Sequence, residues 1–321
     1  RASDLILRYN IAFLNNDSAA MGREVAQAQG KQGAEDWMYH QQALVMARSG
    51  HLRKARAMSQ HAVEMALQKG ERDRAAMYRT GQAIYEAILG DPSAAKTFAK
   101  AARSLSNDRD VEYGNAFALA MVGDFSGSRE LSSDLDKRFP EDTLVRFQYL
   151  PVLRGLSALV QGDDARATEF LADTSFDLAF PATAFIGGFG ALYPAYSRGL
   201  THLAAHRGAE ASAEFRKVIS HRGLVLSDPI GARAHLQLGR ALAMSKETAK
   251  AKAAYKQFLD LWQDADADMA IVRQAKAEYA NLRYAPNTAA LRLKFSLAIG
   301  SEYRDRHLSP ARESLRRLSL L

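Results

Sequence analysis

Cysteine is absent from the 321 residues, which excludes disulfides, thiolate metal sites and cysteine nucleophiles while fitting either redox compartment. Proline is scarce, at 8 residues, and β-branched residues seldom cluster, so strands have little sequence to claim. Runs of helix formers such as residues 249–254 take their place. A continuous membrane-length apolar run is also missing. The longest uncharged stretch, 178–196, is interrupted by Pro181, Pro194, Gly187, Gly188 and Gly190, and reads as an apolar connection packed on neighbouring helices. The sequence opens at Arg1 without a charged and then apolar leader, and reads as a piece of a longer chain.

An evenly spread basic charge is lacking too. The net charge is +7, yet residues 283–321 alone hold Arg283, Arg292, Lys294, Arg304, Arg306, Arg312, Arg316 and Arg317 against Glu302, Asp305 and Glu313. The rest is close to balance, so the body offers no basic stripe for a nucleic-acid backbone.

Recognisable catalytic groupings are equally wanting. Asp108-Arg109-Asp110-Val111 with Asn115 has the spacing of a kinase catalytic loop, but Asp stands where His belongs and no Asp-Phe-Gly follows. Helix capping by Asp108 or Asp110 explains it. His202 and His206 share a helix face without a third metal ligand near in sequence, Glu210 lying across a turn. Gly187-Gly188-Phe189-Gly190 has no preceding strand and no following Lys-Ser or Lys-Thr, as a phosphate loop requires. The carboxylates Asp163-Asp164 and Asp264, Asp266 and Asp268 fall at turns, where capping accounts for them. Neither a metal nor a cofactor is expected, and no enzyme activity of these residues.

What recurs is a turn signal: Gly50-His51, Gly90-Asp91, Gly123-Asp124 and Gly162-Asp163. Glycine relieves strain at a helix C-terminus and the next Asp caps a new helix. Small or packing residues then repeat at helical spacing: Ala55 and Ala62; Ala95, Ala99 and Ala102; Ala167 and Leu171. Small side chains there let paired helices approach closely. Two later units read Gly199, Ala211, Phe215, Ile219 and Gly239, Ala251, Tyr255, Leu259. With Arg138-Phe139-Pro140 closing another unit and a degenerate one turning at Asn16-Asp17, the sequence resembles the tetratricopeptide repeat. That resemblance implies an all-α, right-handed α-solenoid of about seven antiparallel helix pairs over residues 1–282. The basic tail 283–321 is expected to be an added helical segment or the product of a shifted reading frame.

Further segments extend the resemblance: Ile11-Ala12-Phe13-Leu14, Arg109-Asp110-Val111, 138–143, Ala191-Leu192-Tyr193-Pro194, 221–226, 274–279, and above all Asp228-Pro229-Ile230-Gly231 and 262–268. In these the chain is similar to the C-terminal tetratricopeptide region of acidobacterial eukaryotic-type serine/threonine kinases and related membrane-linked regulators. The resemblance implies a regulatory or docking array that lies on the extracytoplasmic side of a membrane, its kinase domain and membrane segment being outside this chain. The alternatives are a stand-alone adaptor or assembly protein, which suits the cytoplasm, and the repeat region of a membrane-linked transcriptional regulator. Oligomeric state is not legible.

In such an array the first helix of each pair lines a concave wall suited to a protein or peptide ligand. Counting along those helices turns inward Trp37, His40, Gln41, Thr80, Tyr113, Tyr149, Tyr193, Tyr196, Arg233, Gln237 and Arg240. Aromatics with polar tips, Arg and Gln are what holds a peptide. Packing between repeats is the competing role for the tyrosines.

Overall fold

The computed structural model describes residues 1–172, 174 and 186–282. Among these the regular elements are helices: α1 (Ala2–Leu14), α2 (Ser18–Ala28), α3 (Glu35–Arg48), α4 (Leu52–Gln68), α5 (Arg72–Leu89), α6 (Pro92–Arg103), α7 (Arg109–Met121), α8 (Phe125–Arg138), α9 (Leu150–Val160), α10 (Asp164–Ala172), α11 (Tyr193–Ala204), α12 (Gly208–Ser220), α13 (Arg222–Val225), α14 (Pro229–Met244), α15 (Thr248–Leu261) and α16 (Ala270–Asn281). A π-helical turn, Val145–Tyr149, runs directly into α9. Among the described residues no helix is long and apolar enough to cross a membrane. The tail 283–321, and the part of the uncharged stretch before residue 186, lie outside the described residues.

Sequence neighbours pack as pairs: α1 on α2, α3 on α4, α5 on α6, α7 on α8, α9 on α10, α11 on α12 and α14 on α15. Their turns carry the expected chemistry. Gly50, Gly123 and Gly162 take left-handed φ values of 83°, 79° and 78°, and the Asp17, Asp91, Asp124 and Asp163 carboxylates each accept a first-turn amide of the next helix. Gly90 differs, with φ −131°. There size matters instead, because a Cβ would lie 2.6 Å from Leu52 Cδ1. The connection from α11 to α12 turns at His206, and that from α14 to α15 at Lys246, both left-handed without glycine; His206 thus stands in the turn past the end of α11 and not on one helix face with His202.

Within a pair, glycine on the first helix admits a large side chain from the second. A Cβ on Gly155, Gly199 or Gly239 would sit 2.7, 2.6 or 2.7 Å from Leu171, Phe215 or Tyr255. The small residues Ala55, Ala62, Ala95, Ala99, Ala102 and Ala167 are all buried in these seams.

The first helices of the pairs also touch one another, α3 against α5, α5 against α7, α7 and α11 against α9, and α11 against α14. The array then closes on itself, since α14 packs against α3 and α5. A seam fastens the closure. The Trp262 indole donates to the Arg48 carbonyl at 2.9 Å, the Asp266 amide donates to the Gly50 carbonyl at 3.0 Å, and the Asp266 carboxylate accepts the Arg53 amide at 2.9 Å. His51 stands at the N-cap of α4 and makes no capping bond, so Asp266 supplies the missing cap from the far end of the chain. Of the turn carboxylates expected to cap, Asp163 caps the helix that follows it, whereas Asp266 caps one 213 residues away.

Candidate functional site

All eleven side chains counted onto the concave wall lie on the helices that meet in the interior or on the π turn, yet all but Arg233 are buried. The expectation of an open groove therefore changes: the wall faces inward, but closure of the array and a segment of the chain itself cover it. Three groups form. Trp37 joins Leu5, Ile6 and Tyr9 of α1 in one apolar cluster. Tyr113 stacks on Tyr149 at 3.6 Å between ring centroids, and Tyr149 donates to Asp110 Oδ1 at 2.9 Å. At the other end Arg240, 2% exposed, pairs through two 2.9 Å hydrogen bonds with Glu278 and donates to Gln237. Tyr255 donates to the same carboxylate, and Tyr196 and Arg233 stand beside this cluster.

Between these groups runs the segment 186–192. His40, fully buried, meets the Gly187 carbonyl through Nε2 at 3.0 Å. A carbonyl can only accept, so Nε2 carries the proton and Nδ1 is bare, with no partner. Burial lowers His40 to about 4, which keeps the ring neutral, stacked 4.6 Å from Tyr78. Two glycines inside helices make the passage. A Cβ on Gly81 would lie 2.8 Å from the Gly187 oxygen, and one on Gly114 would lie 2.7 Å from the Phe189 ring and 2.4 Å from Thr80. Leu44 flanks Gly188, and Leu192, at φ 59°, turns the chain into α11.

Asp228 closes the far side. One carboxylate oxygen caps α14 by accepting the Ile230 amide at 3.0 Å; the other has no hydrogen-bond partner. Burial raises this carboxyl to about 7, against the lowering pull of the Ile230 amide, the Tyr193 hydroxyl, the Gly190 backbone and Arg48. The Tyr193 hydroxyl faces it electrostatically but lacks hydrogen-bond geometry. A cavity of about 30 Å³, bordered by Asn10, Gln41, Gly188, Phe189 and Asp228, remains beside the segment. That is room for one or two waters and nothing larger.

The other motifs resolve locally. Asp108 caps α7 by accepting the Asp110 amide at 3.0 Å, and Arg109 pairs with Asp110 and Asp142. Among the described residues no three His, Cys, Asp or Glu side chains are grouped to hold a metal. The wide hollows, about 480 and 580 Å³, lie on the outside around α8. Missing from the sequence-derived set are Gly81, Gly114, Asn10, Asp228 and Glu278. The two glycines carried a signal, since a glycine inside a helical pattern costs about 1 kcal/mol relative to Ala and often marks a close approach. Asn10 carried none; Asp228 and Glu278 fall in segments that extend the resemblance, but nothing there announced the buried partners they meet. No family model matches the sequence, and no curated protein aligns with it.

Proposed function

We propose that the chain is a non-catalytic interaction scaffold of the tetratricopeptide kind, with about seven helix pairs whose inner helices recognise a short peptide segment. One observation carries this reading. The inner helices already hold a seven-residue stretch in the manner of a bound peptide, through a side-chain bond to its backbone and helix notches that receive its aromatic ring. The sequence resemblance supports placing the scaffold beside a serine/threonine kinase domain as its regulatory or docking region. Selection of peptides from a displayed library, followed by hydrogen exchange of the chain with the best peptide, tests the reading. Added protection on α3, α5, α7 and α14 is expected. Protection confined to outer helices such as α4, α6 and α8 contradicts it.

A further inference from the structure

The segment 186–192 is a poor fit to the chamber it fills. Around it Asn10 Oδ1, His40 Nδ1, the Tyr193 hydroxyl and Asp228 Oδ2 are all buried and without hydrogen-bond partners. These atoms belong to α1, α3, α11 and the start of α14, so both ends of the chain contribute to the surroundings of the segment. Native interiors leave few such groups, and each calls for an explanation. The notches at Gly81 and Gly114 point the same way: a Cβ at either would strike the segment, at the Gly187 oxygen or the Phe189 ring, as well as a neighbouring helix, at His40 or Thr80.

We infer that residues 186–192 are a built-in stand-in for a ligand, and that the chamber recognises a partner segment of the same chemistry: a tight glycine-flanked turn that presents one aromatic ring. This rests on the scaffold reading above. The ring takes the notch at Gly114, a backbone carbonyl accepts from His40 Nε2, and backbone amides of the partner donate to Asp228 Oδ2 and Asn10 Oδ1. The chain's own copy supplies the first two contacts but makes no well-formed hydrogen bond to Asn10 Oδ1 or Asp228 Oδ2, although the Gly190 backbone faces the Asp228 carboxyl. A partner that supplies all of them displaces it.

The test uses the full chain and a fluorescein-labelled peptide with the sequence of residues 186–194, alongside a control peptide in which alanine replaces the residue equivalent to Phe189. The chain carrying Phe189→Ala, which withdraws the internal ring, is expected to bind the labelled peptide at least tenfold more tightly than the unaltered chain, and not to bind the control. A Phe189→Ala chain with unchanged helix content and no affinity for the peptide overturns the proposal. Equal affinity of both chains, with amides of 186–192 protected in each, also overturns it while leaving the scaffold reading standing. Should Phe189→Ala fail to fold, hydrogen exchange of the unaltered chain decides. Amides of 186–192 exchanging at least a hundredfold faster than those at the centres of α5 and α7, and faster still with excess peptide, support it. Exchange of all these amides at one common, global rate overturns it.

Discussion

Arg240 shows how a residue chosen as a binding candidate becomes a structural one. Its guanidinium is buried, and the charge and hydrogen bonds of Glu278 hold it above its ordinary range against the lowering effect of burial. Removing one partner leaves the other as a buried unpaired charge, which costs about 3–5 kcal/mol. Glu278→Leu is therefore expected to lower the urea midpoint steeply, and Arg240→Met combined with Glu278→Leu to recover much of that loss, since apolar replacements of both partners remove the stranded charge. A double variant no better than the single one contradicts this. Asp228 and His40 give a pH dependence of opposite signs. Asp228 rises from 3.8 to about 7 on folding, so its stabilising contribution is complete below about pH 4 and is lost as pH rises through 7. His40 falls from 6.5 to about 4, so its contribution is present above 6.5 and lost as pH falls through 4. Asp228→Asn keeps an acceptor for the Ile230 amide and removes the titration. Relative to the unaltered chain it is expected to gain up to about 1.4 kcal/mol per pH unit between pH 5 and 7 in urea unfolding; a pH-independent difference contradicts the assignment.

Helix pairing depends on where glycine and large residues face each other, and this can be tested by the same substitution in two places. Gly239→Ala places a methyl 2.7 Å from the buried Tyr255 ring, and overpacking of that kind costs about 1–3 kcal/mol. Gly22→Ala in α2 meets nothing within 4 Å and is expected to stabilise by about 0.5–1 kcal/mol through helix propensity alone. Thermal unfolding followed by circular dichroism should move in opposite directions for the two, and a common direction would break the packing argument. The elements were legible in sequence for the same reason. Gly199 and Gly239 with their partners twelve and sixteen residues on are local facts, as are the caps at Asp91, Asp108 and Asp124. The turn at Lys246 was not legible, because a left-handed residue without glycine is imposed by the helices on either side.

Closure of the array is a property of the whole chain, and nothing local encodes it. The sequence marked the paired helices but gave no sign that α14 returns to α3 and α5, or that residues 186–192 fill the space between them. His51 at an uncapped helix start and Asp266 at a distant turn become meaningful only together. Exposed ion pairs contribute little to this closure: Arg53 and Asp268 are 70% and 67% exposed, where solvent screening and the ordering of two long side chains offset the attraction. Close packing at Gly50 is the stronger constraint. Gly50 and Gly162 share nearly the same left-handed φ, 83° and 78°, which Asn tolerates better than most residues. A side chain at Gly162 meets open space, whereas a Cβ at Gly50 would lie 2.5 Å from Ala265 and 3.0 Å from the Trp262 ring. Gly162→Asn is thus expected to leave the molecule's shape intact, with a stability loss of about 1 kcal/mol or less. Gly50→Asn should force the seam apart, giving a larger radius of gyration by small-angle scattering and a Trp262 more accessible to acrylamide, at unchanged helix content. An unchanged radius in Gly50→Asn would mean that the contacts of α14 with α3 and α5 hold the closure without the seam.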